Sequence, residues 1–132
     1  MAIELGFDGL RNSGTFKLAS ATKSTIQADP EQIIGKVVTI TGNYEVGYGS
    51  DGDAVFGVVT QIEYPCTNNH DEFLVTVNWN QTFEGIPCAG TETAGKYLEC
   101  DGSGGLKESI DSYNCIALGV DTGTNTCTVK IH

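Results

Sequence analysis

Phe73-Leu74-Val75-Thr76-Val77-Asn78-Trp79 is the stretch on which the fold assignment turns. In an extended chain Phe73, Val75, Val77 and Trp79 fall on one side while Thr76 and Asn78 fall on the other, the period of two that marks a half-buried strand. The C-terminal stretch repeats it, with Cys127, Val129 and Ile131 alternating with Thr126, Thr128 and Lys130. Residues 54–64 are longer and less alternating, and Gly57 within them predicts a bulge or a close backbone approach where the strand bends.

Outward from these strands the chain is punctuated by turns: Thr41-Gly42-Asn43, Ser50-Asp51-Gly52-Asp53, Asp101-Gly102-Ser103-Gly104-Gly105 and Asp121-Thr122-Gly123-Thr124-Asn125. All supply residues that tolerate positive φ. No helical pattern of about 10 to 15 residues separates the strands, which argues against parallel βαβ units. The expected fold is therefore all-β, a compact antiparallel β-barrel or sandwich with glycine-rich hairpin turns and an extended N-terminal arm.

Asp29-Pro30-Glu31-Gln32 carries a helix-start signal, with Asp as N-cap and Pro at the first helical position. Gly35 stops it at once, leaving a single turn expected to place Ile33 and Ile34 against the sheet and feed a strand over 36–41. Upstream, residues 1–28 read as an arm and residues 29–132 as one β domain. Ile3, Leu5, Phe7 and Leu10 form an apolar opening, Asn12-Ser13-Gly14 breaks it, and Phe16 and Leu18 lead into the polar stretch 19–28. Two outcomes are open for this arm: it covers its own domain as an edge strand, or it docks on a neighbour. Ile3, Leu5, Phe7 and Leu10 are the candidate partner-binding anchors.

The 132-residue chain is long enough to bury a core without disulfides or a metal. It contains 17 glycines, well above the usual share of about 7%, in a chain too hydrophobic for disorder, so these glycines serve as turn-formers. The net charge of −10 opposes approach to nucleic acid or to an anionic membrane, and suits a protein that accumulates at high concentration. Met-Ala-Ile-Glu-Leu-Gly-Phe-Asp lacks the regions of a signal peptide, and no apolar run reaches transmembrane length. Synthesis in a cytoplasm is expected, with Cys66, Cys88, Cys100, Cys115 and Cys127 reduced. Five is an odd number for a disulfide framework, and the spacings miss the C-x-x-C signature. Cys66 with His70 is the one near-neighbour pair that suggests a metal; packing as small apolar residues is the favoured role for the cysteines, and no metal or cofactor is expected.

Catalytic patterns are weak. His70 lies in the polar cluster Asn68-Asn69-His70-Asp71-Glu72, which reads as a solvated turn, and no G-x-S-x-G elbow accompanies it. Asp51 and Asp53 flank Gly52 without the order of a calcium loop. The Asp101-Gly-Ser-Gly-Gly turn lacks the Lys-Ser/Thr and following helix of a phosphate loop. Trp79, the sole tryptophan, alternates with Val75 and Val77, which favours the core over a sugar-stacking platform. The chain is not expected to be an enzyme.

The order of motifs carries a resemblance. Gly35-Lys36-Val37-Val38, Glu45-Val46-Gly47, Ser50-Asp51-Gly52-Asp53 and Phe56-Gly57-Val58-Val59 resemble the N-terminal half of small bacteriophage capsid decoration, or cement, proteins. Val75-Thr76-Val77, Gly85-Ile86-Pro87, Ala94-Gly95-Lys96-Tyr97-Leu98, the Asp101 turn, Ala117-Leu118-Gly119-Val120-Asp121 and Cys127-Thr128-Val129-Lys130-Ile131 continue the likeness. It spans residue 30 to the C-terminus, while the five cysteines and the insertion-like segment 65–71 depart from it. The resemblance implies a non-enzymatic protein of the virion that binds the outside of the head as a small oligomer, a trimer or dimer, and staples neighbouring major capsid protein subunits. Two other readings stay open: a carbohydrate-binding or adhesin-like β module, which would expose Trp79, and a small hydrolase, which would depend on Asp51, Asp53 or His70.

Overall fold

In the computed structural model, which describes residues 7–8 (backbone), 12–63, 74–111 and 113–132, the alternating stretch quoted above becomes a strand over Leu74–Asn78. Val75 and Val77 are fully buried there, as the period of two requires. In chain order the elements are β1 (Phe7–Asp8), β2 (Ser13–Leu18), α1 (Ser20–Ile26), a 3-10 turn (Pro30–Ile33), β3 (Val37–Gly42), β4 (Glu45–Gly47), β5 (Gly57–Glu63), β6 (Leu74–Asn78), β7 (Gln81–Pro87), β8 (Leu98–Cys100), β9 (Leu106–Glu108), β10 (Cys115–Asp121) and β11 (Thr126–Ile131). The fold is mostly β.

Six strands form the first sheet, in the order β1-β2-β4-β3-β5-β6, and β6 also pairs with β2. The path from β2 through β4, β3, β5 and β6 thus returns to its start. Its joints are uneven: β2 meets β4 in parallel over only Lys17↔Glu45 and Leu18↔Val46, and β3 meets β5 over only Val37↔Val58 and Val38↔Gly57. A three-stranded sheet, β10-β11-β7, and the β8-β9 hairpin lie outside this path, so the sheets do not close into one barrel.

Two hydrophobic clusters result, and β3 and β5 stand between them. Val37 and Val58 face the cluster formed with Ile86, Leu98, Leu106, Val129 and Ile131, whereas Val38 and Val59 face the cluster formed with Phe16, Ile26, Ile33, Val46, Val75 and Val77. Successive residues of a strand point to opposite faces, so a strand with a core on each side must be apolar on both. That is why residues 54–64 fail to alternate: Val55 joins the first cluster, Phe56 packs on the second, and Val58 and Val59 divide between them. Each valine buried in this partition is worth about 1.5–3 kcal/mol of transfer free energy.

Gly57 sits where the partition is tightest. A Cβ at this position would lie 2.4 Å from the Asn78 carbonyl oxygen and 2.7 Å from a Val77 methyl. The close approach expected from the sequence is therefore present. The bulge occurs as well, three residues later, where the register with β6 shifts between Val59 and Gln61.

The arm is shorter than the sequence reading made it. Ser13–Leu18 forms a central strand with neighbours on both edges, and Phe16, Leu18 and Ile26 belong to the second cluster. Residues 13–28 are thus part of the domain, and the boundary at residue 28 is not a structural break. The polar composition of 19–28 conceals a short amphipathic helix: α1 buries Thr22 and Ile26, and the Thr22 hydroxyl accepts the Tyr48 N–H at 2.9 Å. The 3-10 turn places Ile33 in the core, but Ile34 is turned out and 46% exposed, because Gly35 reverses the chain at φ +87°. Asp29 makes no side-chain cap; instead its carbonyl accepts the Gln32 side-chain amide at 2.9 Å.

Candidate functional site

Of the four expected anchors, Ile3, Leu5 and Leu10 lie outside the described residues. For Phe7 the backbone is placed: Phe7 and Asp8 pair antiparallel with Gly14 and Ser13 of β2. This occupies the part of the β2 edge that precedes its short ladder with β4. The end of the arm next to the domain is therefore laid on its own sheet.

The three-stranded sheet carries a surface depression between two bulges. In β10 the pairing with β11 slips between Ala117 and Gly119, and in β7 it slips opposite Cys127 and Val129, where Glu84 and Gly85 together face the single residue Thr128. Bulges bend a strand and add twist, and these two flank the same part of β11. Between them opens a cavity of about 370 Å³ lined by Glu84, Gly85, Gly119, Val120, Asp121, Thr126, Cys127 and Thr128. Gly85 and Gly119 leave open space where a Cβ would stand. The lining offers carboxylates, hydroxyls, the Cys127 thiol and backbone groups, a hydrogen-bonding surface. Asp121 is engaged within its own turn, accepting the Gly123 N–H at 2.9 Å and the Thr124 N–H at 3.3 Å.

The turn carboxylates have comparable structural work. Asp53 accepts the Ser50 N–H at 2.8 Å, and its own backbone oxygen accepts the Cys100 N–H at 2.8 Å. Asp51 pairs with Lys107 at 2.6 Å, and the same ammonium lies 3.3 Å from the mostly buried Glu99. Hydrogen bonding to Asp51 is the main reason the Lys107 pKa is raised. Asp101 closes its glycine-rich turn on itself, taking the Ser103 N–H at 2.7 Å and the Gly105 N–H at 3.1 Å. The N–H groups of this turn are thus already bonded to a carboxylate.

Trp79 is half-buried and packs on the second cluster, its ring 5.0 Å from that of Phe56 and 6.3 Å from that of Phe16. Its placement follows the alternation read from the sequence. Among the described residues no group of three or more His, Cys, Asp or Glu side chains is placed to hold a metal ion, and no helix is long and apolar enough to cross a membrane. The Cys66–His70 pair lies outside the described residues.

Sequence reasoning missed one cluster. Glu92 is almost fully buried and holds the loop after β7, accepting the Gly90 N–H at 2.8 Å and the Ala89 N–H at 3.2 Å. Burial works to raise its pKa, but these N–H bonds and the Cys88 thiol outweigh it, and the carboxyl is held below its ordinary value. Cys88 is pushed up, first by desolvation and then by Glu92. Nothing in the spacing of residues 88, 92 and 127 marks them as neighbours; the β7–β11 register brings Cys127 near the end of β7, and the loop that follows folds Glu92 back on Ala89 and Gly90.

No protein-family model matches the chain, and no curated protein matches it.

Proposed function

We propose that this protein is a bacteriophage capsid decoration protein, with a sandwich-like β domain that attaches to the outer surface of the head and stabilises contacts between major capsid protein subunits. The observation that carries the reading is the ordered series of glycine turns on which the resemblance rests. Gly35, Gly52, Gly95 and Gly102 take positive φ, from +87° to +101°, so these motif glycines are turn determinants and not incidental composition. The acidic, turn-rich surface suits a module that binds through its shape, assembles as a small oligomer on the head and is made in bulk.

Attachment in this reading uses the apolar N-terminal residues and pairing at a sheet edge. The test is co-sedimentation with heads that lack the protein, for the full chain and for a chain missing residues 1–12. The full chain is expected to pellet with heads, and the shortened chain to remain folded but bind more weakly. Equal binding by both would overturn the arm mechanism, and no binding by the full chain would overturn the function.

A further inference from the structure

We propose that the depression between the two bulges of the three-stranded sheet seats a basic side chain, arginine or lysine, of the major capsid protein, as a contact separate from the arm; the identity of that partner rests on the decoration reading above. The seat is built around Thr128. Gly119 of β10 stands opposite it on one side, and Glu84 and Gly85 of β7 together face it on the other. With about 370 Å³ of room the depression takes one long side chain, whereas an α-helix about 10–12 Å across is too bulky to enter.

Gly119 is the informative residue. Gly85 has its own reason to be glycine, a φ of +71° at the β7 bulge. Gly119 does not take a positive φ, so its bulge does not require glycine, and an added Cβ there would meet nothing within 4 Å. Neither backbone geometry nor packing within the described chain therefore calls for glycine at 119. Glycine inside a strand contributes no side chain to the sheet, and one that leaves open space suits a place where a ligand or another chain comes close.

The polar groups fix the charge of the occupant. Glu84 is exposed, and its carboxylate makes no ion pair among the described residues, whose ion pairs are those of Lys107. Asp121 commits only Oδ1 to its turn, accepting both the Gly123 and the Thr124 N–H there. Lys130, two residues from Thr128 on the same face, pairs with neither carboxylate. Carboxylates at this depression repel an anion, and its lining has no aromatic ring on which a sugar could stack. A guanidinium or ammonium donates to the free carboxylate oxygens and the half-buried Thr128 hydroxyl, while its methylene stem lies over Gly119.

The test measures binding to heads that lack the protein, using the full-length parent, Glu84→Lys, Gly119→Leu and, as a control for charge alone, Glu31→Lys, which is exposed on the 3-10 turn. Urea midpoints establish that each variant folds like the parent. The parent and Glu31→Lys are expected to bind alike, and Glu84→Lys and Gly119→Leu to bind about tenfold more weakly. Added salt should weaken the parent more than it weakens Glu84→Gln. Should Gly119→Leu lower the urea midpoint, Glu84→Lys against Glu31→Lys decides. Undiminished binding by Glu84→Lys or by a folded Gly119→Leu, beside a parent that binds, would overturn the seat and leave the decoration reading standing; no binding by the parent would overturn both. An equal loss in Glu31→Lys would reduce the effect to net charge and likewise contradict the seat.

Discussion

Gly57 and Gly119 make opposite demands on the chain, and they separate packing from composition. At Gly57 an added methyl meets backbone, the Asn78 carbonyl at 2.4 Å, which cannot swing aside as a flexible side chain would. Gly57→Ala is expected to cost about 1–3 kcal/mol, as overpacking does in a well-filled interior. At Gly119 nothing lies within 4 Å of the corresponding position, so Gly119→Ala should change stability by less than about 0.5 kcal/mol. Urea denaturation of the two variants beside the parent checks both. The buried thiols give a second test at this scale. Burial pushes Cys100 and Cys115 up to about 12, from an ordinary value of 9.0. The folded chain therefore keeps protons that the unfolded chain releases, and their contribution is complete below about pH 9 and is lost progressively as pH rises toward 12. Each thiol should remove up to about 1.4 kcal/mol per pH unit across that window. The urea midpoint should fall steeply between about pH 9 and about pH 11, and Cys115→Ala should show a shallower decline.

At the level of elements, the strands were legible where one face meets a core and the other meets water. β6 and β11 alternate cleanly because each has a single buried face, and their buried residues are those the period of two selects. β5 was harder to read, since a strand between two cores loses the alternation that would identify its faces. α1 was concealed for a different reason: with seven residues and two buried side chains, it offers too little periodicity to stand out from a polar segment. The boundary at residue 28 followed from that concealment, and two truncations test the corrected view. Removing residues 1–12 takes away β1 and the Asn12 carbonyl that accepts the Trp79 N–H, and should leave a cooperative unfolding transition. Removing residues 1–28 also strips Phe16, Leu18 and Ile26 from their cluster, at about 2–5 kcal/mol for each large side chain lost, and should prevent folding. Circular dichroism melts of both truncated chains decide the matter. The candidate site was less legible than the fold. The cavity beside β11 depends on two bulges, and the Cys88–Glu92–Cys127 cluster on cross-strand register and the fold-back of the loop after β7; a sequence records bulge-tolerant glycines but not which strands they will face.

For the whole molecule, the arrangement is a two-core β domain whose partition strands are buried on both sides and whose turns are held by their own carboxylates. Asp51, Asp53, Asp101 and Asp121 each take an ion pair or backbone N–H bonds within or beside a turn, so part of the acidic charge also defines the shape of the turns. Under the proposed function such a surface serves recognition by shape complementarity, and the net charge of −10 opposes self-association. The measurement that bears on this reading is titration of purified full-length protein onto phage heads that lack it, followed by sedimentation and quantification of the bound copies. Saturable binding at a fixed number of copies per capsomer, with heads that resist disruption better once saturated, is the result expected of a decoration protein. Absence of head binding at saturating protein, or binding that never saturates and leaves the heads no more resistant, would contradict it.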